Sequence, residues 1–205
     1  MDPEQLLRQA DQAMYQAKVA GKNRYHVFDT QHDNAVRSHF DVLERLRLAL
    51  ANNEFLLYFQ PKVNPLTQEL VGAEVLLRLK HPERGMISPA IFIPVAEECG
   101  FIVELGQWVL KQACVINRDW QQRGLPIVPL AINMSSANFR HPDLLAGVQR
   151  SLDESQLKPS FLVLELTEGI LMQDISSTID TLQALKTMGV ALSLDDFGTG
   201  YSSLH

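Results

Sequence analysis

Between Phe161 and Asp196 the chain reads FLVLELTEGI LMQDISSTID TLQALKTMGV ALSLDD. Phe161 to Leu166 is an apolar run of strand length. Ile175 to Met188 repeats its apolar residues at helical spacing and is stopped by Gly189, and Val190 to Leu194 is a second apolar run. Near-continuous apolar strands separated by an amphipathic helix belong to a parallel sheet with helices packed on it. Upstream the same alternation supplies a strand over Val128 to Met134 and a helix over Asp143 to Leu152. The fold class read from this half of the chain is α/β.

Nearer the N-terminus an amphipathic helix begins at Val36, carries Phe40, Leu43, Leu46 and Leu50 on one face, and ends at Asn52 and Asn53. Two strands follow, Phe55 to Val63 and Leu70 to Leu79, joined by Asn64 to Glu69. A parallel pair needs a crossover of about a dozen residues or more, so these strands, if they pair directly, run antiparallel. Pro89 to Ala96 and Leu105 to Trp120 read as helices, the second stopped by Gly124. The first thirty residues hold one helix, opened by Asp2 and Pro3 and ended by Gly21, and one short strand around Tyr25, Val27 and Phe28. Such a pair encloses no core. The polar segment from Asp29 to Asn34 reads either as a linker or as the start of a continuous helix into the next unit.

The 205 residues carry 24 acidic and 18 basic side chains, a net charge of −6, with 46% hydrophobic and 20% charged residues. This suits one globular domain plus part of another and excludes a disordered or collagen-like chain. The missing basic surplus argues against a nucleic-acid polymer as partner and leaves room for a small anionic ligand held with the help of metal ions. No apolar run reaches the roughly 18 residues of a membrane span, and no apolar segment follows the charged N-terminus. The chain is therefore expected to be soluble and cytoplasmic, with any membrane attachment of a longer parent lying upstream. Cys99 and Cys114 are expected to be buried thiols, not a disulfide or a zinc site.

Polar residues stand at the ends of the expected strands: Asn133 near the end of one, Glu165 at the end of the next, Asp195 and Asp196 directly after the third. Each step is roughly 30 residues, about one β/α unit. In parallel α/β folds the C-terminal strand ends share one face, where ligands bind. Carboxylates and an amide, all hard oxygen donors, suit Mg²⁺ or Mn²⁺ better than zinc, and an adjacent Asp pair can serve two metals in attack on a phosphodiester. The competing reading is that each acid caps the helix that follows it. The spacing alone leaves both readings open.

Longer motifs narrow the choice. Glu74-Val75-Leu76-Leu77-Arg78, His81-Pro82, Gly85, Phe92-Ile93-Pro94 and Ala96-Glu97 occur in order, followed by Leu105-Gly106, Trp108-Val109-Leu110 and Asn133-Met134-Ser135. Glu165-Leu166-Thr167-Glu168 and the run from Asp195-Asp196-Phe197-Gly198 to Leu204 complete the series. This series resembles the EAL domain over residues 37 to 205. Ala10-Asp11, Ala13-Met14-Tyr15, Ala17-Lys18 and Gly21-Lys22-Asn23-Arg24 resemble the last helix and strand of a GGDEF diguanylate cyclase domain. The expected organisation is thus a GGDEF-like tail over 1–30, a linker over 31–36 and the N-terminal part of an EAL domain over 37–205. No cyclase activity is assigned to the tail.

The EAL resemblance implies a TIM-like (β/α)8 barrel with an antiparallel first strand, present here to about the fifth strand. It implies hydrolysis of cyclic di-GMP to linear pGpG with Mg²⁺ or Mn²⁺, two ions in all. Glu74, Asn133, Glu165 and Asp195 would ligate one metal, and Asp195 with Asp196 would reach the second; Glu74, Asp195 and Asp196 form the catalytic set. Gln60 and Arg78 would contact the ligand, Arg78 through its planar fork on a phosphate; the plainer reading makes both ordinary polar residues of a barrel rim. Glu168 would hold the loop that begins at Asp196 and leads to a homodimer interface. Upstream GGDEF or sensor domains are the expected covalent neighbours.

Val75 stands where the motif has Ala, and Leu79 where Trp is usual; neither is a ligand position. A lysine near the attacking water, a further metal-binding Glu and a guanine-contacting Gln belong to family strands beyond His205, so the 205 residues alone are expected to hydrolyse little or nothing. Gly85, Pro82 and Pro94 are expected to shape turns, Phe92 and Trp108 to fill the core, and His81 to serve a structural loop. The alternative to an enzyme is a catalytically silent cyclic di-GMP receptor. A third reading, a protein-interaction module, predicts no nucleotide binding.

Overall fold

The computed structural model describes residues 42–167 and 175–195, the side chains of 175–177 and of Asp195 excepted. The GGDEF-like tail and linker expected over 1–36 lie outside the described residues, as do Glu168 and Asp196. The chain divides into two units between Arg45 and Leu46, and the second contains the features that follow.

Helix α1 is described over residues 42–51, and its part within that unit buries Leu46 and Ala49. Asn53, with φ of 56°, turns the chain through the left-handed region, so the Asn pair does end the helix. The strands β1 (Phe55–Val63) and β2 (Leu70–His81) pair antiparallel, as the short connection requires, with Gln60 opposite Glu74 and Lys62 opposite Gly72. Their turn is held by Asn64, whose Oδ1 accepts from the backbone N–H of Leu66 and Thr67.

β2 then doubles back on β3 (Gly85–Ile87), a strand not anticipated from the sequence because three residues are too few for periodicity to show. Gly85 has φ of 70°, and His81 Nδ1 accepts from the amides of Glu83 and Arg84, so both residues serve the turn.

Two helices, α2 (Pro89–Glu98) and α3 (Phe101–Gln122), are separated by Gly100 at φ of 74°. Pro94 was expected in a turn but lies inside α2. Its ring sacrifices one backbone hydrogen bond, and burial of Phe92 and Ala96, one turn apart, holds the helix together across it. After α3 come β4 (Leu130–Met134), the single turn α4 (Ser136–Phe139) and α5 (Leu144–Ser155). The turn Pro159–Phe161, β5 (Leu162–Thr167), α6 (Ile175–Thr187) and β6 (Ala191–Asp195) complete the described chain. β4 starts two residues later than Val128 because Pro129 has no N–H to enter the ladder, although its carbonyl still accepts from Ala73 N.

The strands lie in the order β1-β2-β4-β5-β6, with β2, β4, β5 and β6 parallel and β1 antiparallel at one edge. Order, direction and helical cover are those expected of the TIM-like barrel with an inverted first strand; the described strands form an open sheet.

Alternation assigns each residue of the sheet to a face. Leu130, Ile132 and Met134 of β4 and Leu162, Leu164 and Leu166 of β5 pack outward against Val109, Leu110, Ala113 and Cys114 of α3, Val148 and Leu152 of α5, and Leu185 of α6. Each such leucine contributes about 1.5–3 kcal/mol by leaving water. Phe92 belongs to the core as expected, while Trp108 is partly buried against it. Cys114 is wholly buried, and burial pushes its thiol up to about 12 against a smaller opposing effect from its hydrogen bond with Ser155. Cys99, expected to be buried, is only half so, because it lies just past the end of α2. Among the described residues no helix is long and apolar enough to cross a membrane.

Candidate functional site

The opposite face of the sheet carries the polar residues. Because Gln60 pairs with Glu74, Glu74 with Ala131, Asn133 with Glu165, and Glu165 with Ser193, these positions share one face across five strands. Asn133 Nδ2 donates to Glu74 Oε1 at 2.8 Å. That bond fixes the amide so that Asn133 Oδ1 stays available as an acceptor, which a cation can use. Glu165, 7% exposed, is paired with the ammonium of Lys62, whose own side chain is 43% exposed.

Glu74 and Asn133 are hydrogen-bonded, and Glu165 stands in register with Asn133 on the next strand, so three hard oxygen donors share one face of adjacent strands, a set that fits Mg²⁺ or Mn²⁺. Among the described residues no group of three His, Cys, Asp or Glu side chains is gathered. Asp195 is placed through its backbone alone, opposite Thr167 and two residues beyond Ser193, the partner of Glu165. The helix-cap reading fails for Glu165, which lies within β5 and points away from the helical layer to meet Lys62; the helix after Asn133 is capped by Ser135, which accepts from Asn138 N.

Arg78, further along β2, lies with its guanidinium 5.6 Å from the centre of the Tyr58 ring and donates to the Leu77 carbonyl. The ring fixes the guanidinium in place and leaves N–H groups to spare for an anion. Gln60 is exposed on β1, one pleat from Tyr58 and one from Lys62. A cavity of about 350 Å³ lies on the helical side of the sheet, between Val75, Leu77, Ile132 and Met134 of β2 and β4 and Ile93, Leu105 and Val109 of the two helices, and reaches Arg78, Asn133 and Thr167 at the strand ends.

Sequence reasoning missed Lys62, Tyr58 and Asn138. Strand alternation offered a signal for the first two, which share a face with Gln60. Asn138, buried, donates from Nδ2 to Ile102 O at 2.9 Å and accepts from Ser135 Oγ. It thereby ties the segment after Asn133 to the start of α3, and it occupies the space a side chain on Gly106 would need.

The EAL domain family model matches residues 43–205. Among curated proteins, MucR of Pseudomonas aeruginosa, a bifunctional diguanylate cyclase/cyclic di-GMP phosphodiesterase, is 41% identical over 200 residues, covering 98% of this chain and 29% of MucR. The cyclic di-GMP phosphodiesterase NbdA of the same organism is 37% identical over 201 residues, covering 98% of this chain and 26% of NbdA. The chain therefore spans less than a third of the length of these two curated relatives. Among solved structures, PaMucR phosphodiesterase in complex with c-di-GMP is 42% identical with a TM-score of 0.75, covering 80% of this chain and 66% of that one. The EAL enzyme Bd1971 with cAMP and cyclic-di-GMP bound is 29% identical with a TM-score of 0.75, covering 98% of this chain and 52% of that one. With the strand order, the inverted first strand and the strand-end oxygen donors, these matches establish that the chain belongs to the EAL domain family.

Proposed function

We propose that the chain is the phosphodiesterase part of a protein that hydrolyses cyclic di-GMP to linear pGpG with Mg²⁺ or Mn²⁺. The observation that carries this reading is the placing of Glu74, Asn133 and Glu165 on one face of three neighbouring parallel strands, with Asn133 bonded to Glu74 and in register with Glu165. Glu74, Asn133, Glu165 and Asp195 would hold one ion and Asp195 with Asp196 a second. When bound, such ions lower the pKa of a water and neutralise charge on the phosphodiester oxygens.

The remaining work falls to side chains. Asn133 holds the Glu74 carboxylate in a fixed rotamer by its hydrogen bond, so that little reorganisation accompanies binding. Arg78, stacked on Tyr58, presents donors toward a phosphate of the ligand. Gln60, exposed on β1, offers an amide to a base or sugar edge. Glu168 would brace the loop that starts at Asp196. The homodimer and the upstream GGDEF-like neighbour belong to the same proposal and rest on family resemblance.

The test follows linear pGpG by chromatography with Mn²⁺ in the protein that carries this chain, beside Glu74→Ala. Turnover that falls by about 100-fold or more in the variant supports the assignment. Binding of cyclic di-GMP with no turnover in either form would favour a silent receptor, and unaltered turnover in Glu74→Ala would remove Glu74 from the metal site.

A further inference from the structure

Lys62 and Glu165 stand three strands apart in the sheet order, β1 to β5 by way of β2 and β4. In a flat sheet that separation is roughly 14 Å. The two side chains meet only because the sheet curls, so that this face is concave and the long lysine stem crosses its hollow. Lys62 lies opposite Gly72, which has no side chain to stand in its way. The two partners differ in their access to water. Glu165 is 7% exposed and Lys62 43% exposed. A buried carboxylate without a cation is costly, whereas a half-exposed ammonium that swings outward regains hydration cheaply. The pair is therefore asymmetric: Glu165 needs a positive charge, and Lys62 is free to leave.

We propose that Lys62 is an internal counter-ion that competes with a divalent metal for the Glu165 carboxylate, so that Lys62 must leave Glu165 for the metal to be bound. The inference rests on the reading of Glu165 as a metal ligand and adds to it a residue that sets the affinity. Lys62 holds the Glu165 carboxylate in place against the hollow of the sheet and raises the metal concentration needed to load the site. A like charge beside an incoming cation opposes it strongly in a partly buried setting and weakly once it has moved into water.

The experiment titrates the protein that carries this chain with Mn²⁺ by calorimetry and follows its thermal unfolding in EDTA and in Mn²⁺, for wild type, Lys62→Met, Lys62→Arg and Glu165→Gln. Lys62→Met keeps the stem and removes the charge. It is expected to bind Mn²⁺ about tenfold more tightly and, in EDTA, to melt about 5 °C lower than wild type. Saturating Mn²⁺ should restore most of that loss, because a ligand specific to the folded state stabilises it. Lys62→Arg keeps the charge and should resemble wild type in both measurements, while Glu165→Gln should lose Mn²⁺ binding. Equal or weaker Mn²⁺ binding by Lys62→Met, with binding by wild type still dependent on Glu165, overturns the competition and leaves the metal reading standing. Wild-type binding that Glu165→Gln does not weaken, or no Mn²⁺ binding by wild type at all, overturns both.

Discussion

Replacing Gly106 by Ala should destabilise the protein although it puts a better helix former inside a helix. Gly106 is the sixth residue of α3, and a Cβ built there would fall 2.2 Å from Asn138 Nδ2, 2.8 Å from its Cγ and 3.0 Å from its Oδ1. Ordinary contact begins at roughly 3.5 Å, so the amide would have to retreat by about 1 Å or more. Retreat breaks its 2.9 Å bond to Ile102 O and disturbs the contact with Ser135 Oγ. A buried amide deprived of partners costs about 1–3 kcal/mol, and the bond to Ser135 adds about 1 kcal/mol. Ala returns about 1 kcal/mol through helix propensity. The expected net loss is about 2 kcal/mol, read as a lower urea midpoint at unchanged slope.

The decisive comparison is Gly106→Ala in an Asn138→Ala background. There the space is open, and the same substitution should stabilise by up to about 1 kcal/mol, giving a coupling of about 3 kcal/mol between the two sites. A cost of equal size in both backgrounds, or a gain in the wild-type background, would refute the reasoning.

Two further outcomes follow from individual groups. The Cys114 thiol is raised from 9.0 to about 12 in the folded state, so above pH 9 the unfolded chain releases a proton that the folded chain keeps. Stability should then fall by about 1.4 kcal/mol per pH unit between 9 and 12, on top of other alkaline losses, and Cys114→Ala should remove that component; identical alkaline slopes in wild type and variant would count against it. Arg78→Lys should weaken cyclic di-GMP binding about tenfold in calorimetry with Ca²⁺, since a point charge replaces a planar fork that stacks on Tyr58. Affinity unchanged by the substitution would move Arg78 out of the ligand site.

Much of the fold was legible in the chain because its strands are buried on the helical side and short connections force neighbours together. The six residues between β1 and β2 were enough to set an antiparallel pair, and Gly189 and Gly124 marked helix ends correctly. Boundaries slipped where local signals were weak or overridden. The apolar run puts Phe161 in β5, but Pro159 starts a tight turn there instead. Pro94 is expected to shape a turn, yet burial on either side of it carries α2 through.

The site was legible to a different degree. Asn133 and Glu165 announced themselves by falling near strand ends, whereas Glu74, inside β2, was marked only by the motif it opens. Lys62 had no such mark, because nothing local to β1 reveals that its side chain will reach β5. Nothing in the chain links Asn138 to Gly106, 32 positions earlier; only their contact in the fold explains both.

The sequence by itself determined which residues lie on which face of each strand, since the side-chain period of two needs no tertiary information. It also determined the order of strands and helices, and the direction of β1 once that strand paired with β2, through the lengths of the connections. Only the tertiary structure decided which side chains meet across the hollow of the sheet. Curvature is a property of several twisted strands packed against helices, and it is curvature that shortens the path from Lys62 to Glu165. The oxygen donors could be placed in rows from the chain alone; the cation that answers one of them became visible when the rows were bent toward each other.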